Sequence, residues 1–213
     1  PDFIPWTGFF DKIKKSNKFY FLDDVQFARR GWTHRDKIII NSSQNWLTVP
    51  VIKKGSFKQL IKDVKIDNSL DWKKKHLNTI KFNYKKTLNF AIFYNLLEQI
   101  YLKKFEFLID FNLELISIFL KILKINTQLF YSSDLNLKNQ NSDKILSIVL
   151  KSKSKSYLTG TPSLNYLDLN MFKKNNINVI MHEFDVKEYR KNYENFEKEL
   201  SVIDYIFNGK KIF

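Results

Sequence analysis

The chain has 213 residues, 36 of them Lys or Arg against 22 Asp or Glu, for a formal net charge of +14, and it has no cysteine. Disulfides, thiolate nucleophiles and cysteine-ligated zinc or iron–sulfur centres are thereby excluded, which agrees with a reducing, cytoplasmic setting. An aromatic content of 16% with 20 Phe excludes a disordered chain, and the length suits one domain with a largely aromatic core.

Pro1 to Gly8 reads as a loop, with Pro5 near a first helical position and a short helix from about Phe9 to Lys15. The chain starts at Pro1 without a Met, so a few residues, an N-terminal strand among them, are expected in front. The apolar run Phe19 to Asp23 predicts a central strand covered on both faces, and Gln26 to Thr33 a loop or short irregular helix. Lys37 to Ile40 and Trp46 to Ile52 flank the turn cluster Asn41 to Asn45 and predict a β-hairpin, to which Val64 to Ile66 adds a short strand. Helices follow. Asn68 to Asp71 offer N-caps to one that carries Leu77, Ile80 and Tyr84, and Phe90, Phe93, Tyr94, Leu97 and Tyr101 make a second. Leu108 to Ile125 is apolar enough to raise a membrane span, but Glu114, Ser117, Lys121 and Lys124 form one polar stripe, so it reads as a surface helix on a core.

From Asn126 the period changes. Thr127 to Ser132, Ser156 to Thr159 and Ile177 to Glu183 read as strands, alternating with helices at Ser142 to Leu150 and Leu167 to Lys174. A last amphipathic helix, Leu200 to Phe207, ends at Gly209 as a C′ glycine. Lys151 to Ser156 reads as a solvated helix end, and no internal repeat is visible. The expected fold is a single α/β domain over 1–213, with a mostly parallel central sheet and flanking helices, plus a β-hairpin and a helical insertion around 69–125.

The densest chemistry lies in Phe21 to Arg35, which packs Asp23, Asp24, Arg29, Arg30, Trp32, His34 and Arg35 behind the first strand. The chain has only four arginines, the fourth being Arg190, and lysine serves elsewhere. Arginine is needed where a carboxylate or phosphate is gripped by a planar fork, or where a cation stacks on an aromatic ring. Two readings stand: Arg29, Arg30 and Arg35 grip a ligand, or Arg29 and Arg30 neutralise Asp23 and Asp24 in an ion-pair knot. Ligands of open α/β sheets bind beyond strand C-terminal ends. Asp23-Asp24 and Gly160-Thr161-Pro162-Ser163 both follow predicted strands and are expected at one crevice, although the glycine pattern is not a nucleotide fingerprint and also fits a plain turn.

Among three histidines His76 is the best acid/base candidate, because Trp72 lies one turn before it and Asn83 two turns after on one helix face. The alternative is a histidine packed between helices. His34 stands among arginines, which disfavour its cation, and His182 lies in a strand. No ligand spacing diagnostic of a metal is present.

Taken in order, Pro1-Asp-Phe-Ile-Pro-Trp-Thr-Gly-Phe-Phe10, Phe21-Leu-Asp-Asp-Val-Gln26, Arg30-Gly-Trp-Thr-His-Arg35, Trp46-Leu-Thr-Val-Pro-Val51, His76 with Tyr84, Tyr157-Leu-Thr-Gly160, Tyr166-Leu-Asp168 and Leu200-Ser-Val-Ile-Asp204 resemble the signature of the WbqC-like family. The resemblance covers nearly the whole chain, through eight blocks none of which is diagnostic alone. It implies a strand ahead of Pro1 and a place in bacterial surface-polysaccharide, particularly O-antigen and lipopolysaccharide, biosynthesis. It also implies a transferase role that puts an acyl or aminoacyl group on an amino sugar. The family commonly carries Asn where this chain has His34, and Tyr-Pro-Gln where it has Glu188-Tyr-Arg-Lys191, which argues against roles for His34 and Tyr189.

The expected substrate is a nucleotide-linked sugar, with an activated acyl donor implied as co-substrate. Arg29, Arg30 or Arg35 would take the diphosphate, Trp32 or Trp46 would stack on a ring, and Tyr84, Gly160 and Tyr166 would complete the binding site. Asp23 and Asp24 would hold the amine, and His76 would accept its proton. Two other classes compete: a non-catalytic scaffold of a polysaccharide assembly complex, and a basic nucleic-acid-binding module. The charge favours the last. However, the lysines are spread over the whole chain in a composition rich in Asn and Ile and poor in Gly, Pro and Arg, as A- and T-rich codon usage produces. A polyanion groove also has no use for Asp23 and Asp24, so no specific nucleic-acid partner is expected.

Overall fold

A computed structural model describes residues 1–52, 58–185 and 200–209. Helix α1 (Thr7–Lys14) leads into strand β1 (Lys18–Phe21), and strands β2 (Arg35–Ile40) and β3 (Ser43–Thr48) form the hairpin. Helices α2 (Trp72–Tyr84), α3 (Phe90–Leu102) and α4 (Leu108–Ile122) follow, then β4 (Gln128–Tyr131), α5 (Asn141–Lys151), β5 (Ser156–Thr159), α6 (Leu169–Lys174), β6 (Asn178–Met181) and α7 (Val202–Asn208). The segment Glu188 to Lys191, and with it Tyr189 and Arg190, lies outside the described residues.

The α/β expectation holds, with a smaller sheet than a fully wound one. β1 pairs with β4 in parallel, from Lys18 opposite Gln128 to Phe21 opposite Tyr131. β5 pairs with β6 in parallel, from Ser156 opposite Asn178 to Thr159 opposite Met181. Between the two pairs runs a crevice of about 1090 Å³ whose walls include every residue of β1 and every residue of β5. Successive strand residues point to opposite faces, so a crevice that touches all of them runs along the strand edges.

Three local expectations change. Helix α1 starts at Thr7 with Trp6 as its N-cap, which puts Pro5 one residue outside. The hairpin turns on Asn41 and Ser42 alone, with φ of 50° and 63°, the left-handed pair of a two-residue I′ turn that matches the strand twist. Ser43, Gln44 and Asn45 therefore join Trp46 in β3, with Asn45 and Trp46 facing Ile38 and Lys37. Ile66 and Lys65 make only isolated bridges, to Val51 and Phe107, rather than a third strand. Gly209 does cap α7, but at φ −64°, so its freedom at positive φ is not used.

The larger core joins α1, the hairpin, α2 to α4 and α7, and a smaller one is built on Ile145, Leu146, Val149, Leu167, Phe172 and Ile177. Tyr84 is a buried hub of the first. Its hydroxyl donates to Asp204 Oδ2 at 2.7 Å and accepts from the Ile39 amide at 3.2 Å, which ties α2 to α7 and β2.

Candidate functional site

Asp23 and Asp24 follow β1 directly, and the chain after them is fixed by the 59–62 segment. The Lys62 amide donates to the Asp23 carbonyl at 2.8 Å, the Ile61 amide to that of Val25 at 2.9 Å, and the Phe27 amide to that of Gln59 at 2.8 Å. Ser132 to Leu135 form a 3-10 turn directly after β4. Because β1 and β4 are parallel, their C-terminal ends meet and carboxylates face hydroxyls. Asp23, which is buried, accepts from the Ser133 amide at 2.9 Å, the Ser133 hydroxyl at 2.6 Å and the Ser132 hydroxyl at 3.1 Å. Ser132 also makes a short hydrogen bond to Asp24. With one hydroxyl proton, it serves one of the two carboxylates at a time.

The cation for Asp24 is Lys144 of α5, at 2.7 Å, and the two side chains are only 13% and 6% exposed. Burial pushes the Asp24 carboxyl up, but the hydrogen bonds from Lys144 and Ser132 outweigh it and hold Asp24 below its ordinary value. The ion-pair knot is thus corrected in its partner: the buried pair uses Lys144.

Arg35 shows what an arginine is for at the start of β2. Its guanidinium carbon lies 4.1 Å from the centroid of the Trp46 ring, and its Nη2 donates to the Arg30 carbonyl at 2.7 Å. Trp32 and Trp46 meet at 5.0 Å, each 40% exposed, and Lys37 Nζ stands 5.5 Å from the Trp46 ring. Stacking, rather than an open fork, accounts for Arg35. Arg29 and Arg30 lie on the exposed loop before it. That loop is pinned to the first residues of the chain: the Phe3 amide donates to the Trp32 carbonyl at 3.2 Å, and Thr33 Oγ1 to Asp2 Oδ1 at 3.4 Å. Buried Asn112, on α4, donates from Nδ2 to the Pro1 carbonyl at 3.1 Å and to that of Thr33 at 2.7 Å.

The second expected segment lies across the crevice. Gly160 caps a 3-10 turn, Thr161–Asn165, and its carbonyl accepts from the Ser163 amide at 3.0 Å and the Ser163 hydroxyl at 2.6 Å. Gly160, Ser163 and Tyr166 line the crevice, as do Asp2, Leu22 and Val25 beside the β1 end. Tyr166 is 59% exposed. The Gly160 side of the expected crevice is present; Asp23 and Asp24 do not line it themselves but stand between Leu22 and Val25, which do, and this end of the crevice, its mouth, is the candidate site.

His76 and Tyr84 are elsewhere. His76 Nε2 donates to the Thr48 carbonyl at 2.9 Å, which leaves Nδ1 to accept from the Tyr101 hydroxyl at 3.2 Å. Trp72 packs edge-on against its ring at 5.2 Å. Burial lowers its pKa from 6.5 to about 4, partly offset by the Thr48 hydrogen bond. Both nitrogens are occupied and the ring is neutral, so the proton-acceptor expectation meets a histidine without an open nitrogen. Tyr84 is 1% exposed, which takes it out of reach of a ligand. His34 is buried edge-on against Phe27 at 5.2 Å. His182 contacts Asp11 at 2.8 Å, and Lys15 reaches the same oxygen at 2.8 Å, which links α1 to the end of β6. Burial pushes the Asp11 carboxyl up, but hydrogen bonds from Lys15 and His182 hold it below its ordinary value.

Sequence reasoning missed Ser132, Ser133, Lys144 and Asn112. Each left a signal: a serine pair at the end of a predicted strand, a lysine four residues before Ile148 on the apolar face of α5, and an asparagine on the apolar face of α4. Among the described residues no group of three or more His, Asp or Glu could hold a metal ion, and no helix is long and apolar enough to cross a membrane.

Comparison with known proteins follows the same lines. An uncharacterised protein of Mycobacterium tuberculosis is 31% identical over 209 residues, spanning 97% of this chain and 90% of that protein. No solved structure matches. The family model for WbqC-like proteins matches residues 1–211, and the aspartates, the tryptophan platform and the Gly160 turn all fall inside that match. This chain belongs to the WbqC-like protein family.

Proposed function

We propose that this chain is a cytoplasmic transferase of bacterial surface-polysaccharide biosynthesis, O-antigen assembly in particular, which places an acyl or aminoacyl group on a nucleotide-linked amino sugar. The observation that carries this reading is the pair of carboxylates, Asp23 and Asp24, between Leu22 and Val25, which line the mouth of the crevice. Asp23 is met by hydroxyl and amide donors and Asp24 by one lysine, so the pair offers negative charge to a sugar ammonium beyond the strand ends. Trp32 and Trp46 offer a stacking surface for the base, next to the 1–3 segment that borders the mouth, and Arg29 and Arg30 serve the diphosphate.

In the reaction the ammonium first gives one proton to an acceptor, the free amine attacks the donor carbonyl carbon, the C–N bond forms as the bond from that carbon to the leaving group breaks, and the leaving group departs with the nitrogen's second proton. With His76 closed, the acceptor in this reading is Lys12. It lines the crevice, and burial lowers its pKa while Asp2 opposes the shift, which raises the share of free amine. The ligand is assigned to the mouth, beyond the strand ends. A scaffold reading draws its one support from His76, since the histidine best suited to acid/base work is spent on packing.

A thermal-shift screen of nucleotide-linked sugars tests the proposal. A true ligand at about 100 times its dissociation constant adds roughly 2.7 kcal/mol of stability. We expect amino-sugar nucleotides to raise the melting temperature, and Trp46→Ala, at an exposed position, to reduce the shift while leaving the unliganded protein as stable. A screen without any shift would remove the substrate assignment.

A further inference from the structure

Helices α2 and α3 form a hairpin on the outside of the larger core. Lys73 Nζ, in the first turn of α2, donates to the carbonyl of Lys103 just past the end of α3, so the two helices run antiparallel over their full length. Their inner faces are buried through Trp72, His76, Ile80 and Tyr84 on α2 and Phe93, Leu97, Ile100 and Tyr101 on α3. The outer face is unusual in two independent ways. From Trp72 through Leu97 the sequence has six lysines and no Asp or Glu, and Lys74, Lys75, Lys81, Lys85 and Lys86 are all exposed. Large apolar side chains stand among them: Phe82 is 68% exposed, Leu88 77%, Ile92 61% and Leu102 76%. Lys85 Nζ lies 5.8 Å from the Phe82 ring, so charge and apolar surface are interleaved. The half-buried Glu98 is the one carboxylate on either helix.

We infer that the outer face of the α2–α3 hairpin docks the protein on an anionic lipid surface, with Phe82, Leu88 and Ile92 entering the interface and the lysines meeting the headgroups. This face joins exposed lysines, with no carboxylate from Trp72 through Leu97, to exposed apolar side chains. Juxtaposed lysines are attracted to anionic headgroups, and apolar side chains exposed between them gain by leaving water. A nucleic-acid groove would accept the lysines but give Leu88 and Ile92 nothing to do, because aliphatic side chains neither stack on bases nor meet phosphates. The docking is peripheral, since neither helix is long and apolar enough to cross a bilayer. The inference does not depend on the transferase reading, because none of these residues belongs to the crevice mouth.

The test is co-sedimentation of the full chain with vesicles of phosphatidylcholine alone and of phosphatidylcholine with roughly a third phosphatidylglycerol. At about 0.1 M salt we expect binding to the anionic vesicles only, fading as salt rises. Lys85→Glu/Lys86→Glu should weaken it by about thirtyfold or more, at about fivefold per lysine. Phe82→Ala/Leu88→Ala, at exposed positions, should weaken it by about tenfold or more with an unchanged melting temperature. The reversal Lys173→Glu/Lys174→Glu on α6 is the control for diffuse charge, and should cost severalfold less than the hairpin reversal. The inference is overturned by equal binding to both vesicle types, by no binding, or by a control reversal as damaging as the hairpin one. Binding to single-stranded RNA and not to vesicles, lost in the hairpin variants, would overturn it in favour of a polyanion.

Discussion

His76→Asn is expected to lower the melting temperature by about 6–12 °C, the equivalent of roughly 3 kcal/mol in a chain of this size. The imidazole bridges the Thr48 carbonyl and the Tyr101 hydroxyl inside an aromatic shell. A shorter amide cannot reach both partners, and it leaves a polar group unpaired and a small void. The wild-type protein should also carry a pH signature. His76 titrates at about 4 when folded against 6.5 as a free side chain, so the unfolded chain takes up a proton first as pH falls. Its contribution is complete above pH 6.5, declines as pH drops, and is gone near pH 4, a change of about 3 kcal/mol. Urea unfolding from pH 7 to 4 should show that slope in the wild type and a shallower one in His76→Asn. A variant of unchanged stability that has lost turnover would return His76 to the catalytic list.

Lys144→Ala should cost about 3–5 kcal/mol, the usual consequence of leaving one member of a buried ion pair alone, or a melting temperature lower by on the order of 10 °C. Asp24 would lose its cation while Asp23 and Ser132 keep their places, so two carboxylates would repel one another across one hydroxyl. The wild-type sign is opposite in origin to that of His76 but alike in direction. The Asp24 carboxyl is held below its ordinary 3.8, so its contribution is present above that value and is lost as pH falls through the folded one. Lys144→Ala/Asp24→Leu, which removes both charges, should recover much of the loss. A single variant costing less than about 1 kcal/mol would show a pair no stronger than a surface one.

Most of the fold is legible in the sequence where an apolar run ends on a residue with a distinct job. β1 ends before Asp23-Asp24, β4 before Ser132-Ser133 and β5 before Gly160, and each stop is a polar or turn residue that leaves the sheet. The hairpin was harder, because Ser43, Gln44 and Asn45 carry little β signal. They lie on the exposed strand, where side-chain packing does not decide, and the left-handed pair Asn41-Ser42 fixes the register instead. The His76 expectation erred by reading only part of a helix face. Trp72 and Asn83 look like companions for chemistry, but Trp72, His76, Ile80 and Tyr84 recur every four residues, and all are buried, which is a core stripe. Asp24 and Lys144 are 120 residues apart, and the parallel pairing of β1 with β4 brings the Ser132–Leu135 turn that precedes α5 to the end of β1. No local pattern could pair them, although a lysine on an apolar helix face announces that some buried carboxylate awaits it.

Calorimetric titration at pH 7 tests whether Asp23 and Asp24 receive a sugar ammonium. Two ligands are compared, a nucleotide-linked amino sugar and the same molecule with its amine acetylated. The free amine is expected to bind at least tenfold more tightly, by a margin that narrows as the salt concentration rises and that Asp24→Asn, kept below its melting temperature, abolishes. Equal affinity for the two ligands, or a preference for the acetylated one, would rule out the ammonium-binding role proposed for Asp23 and Asp24.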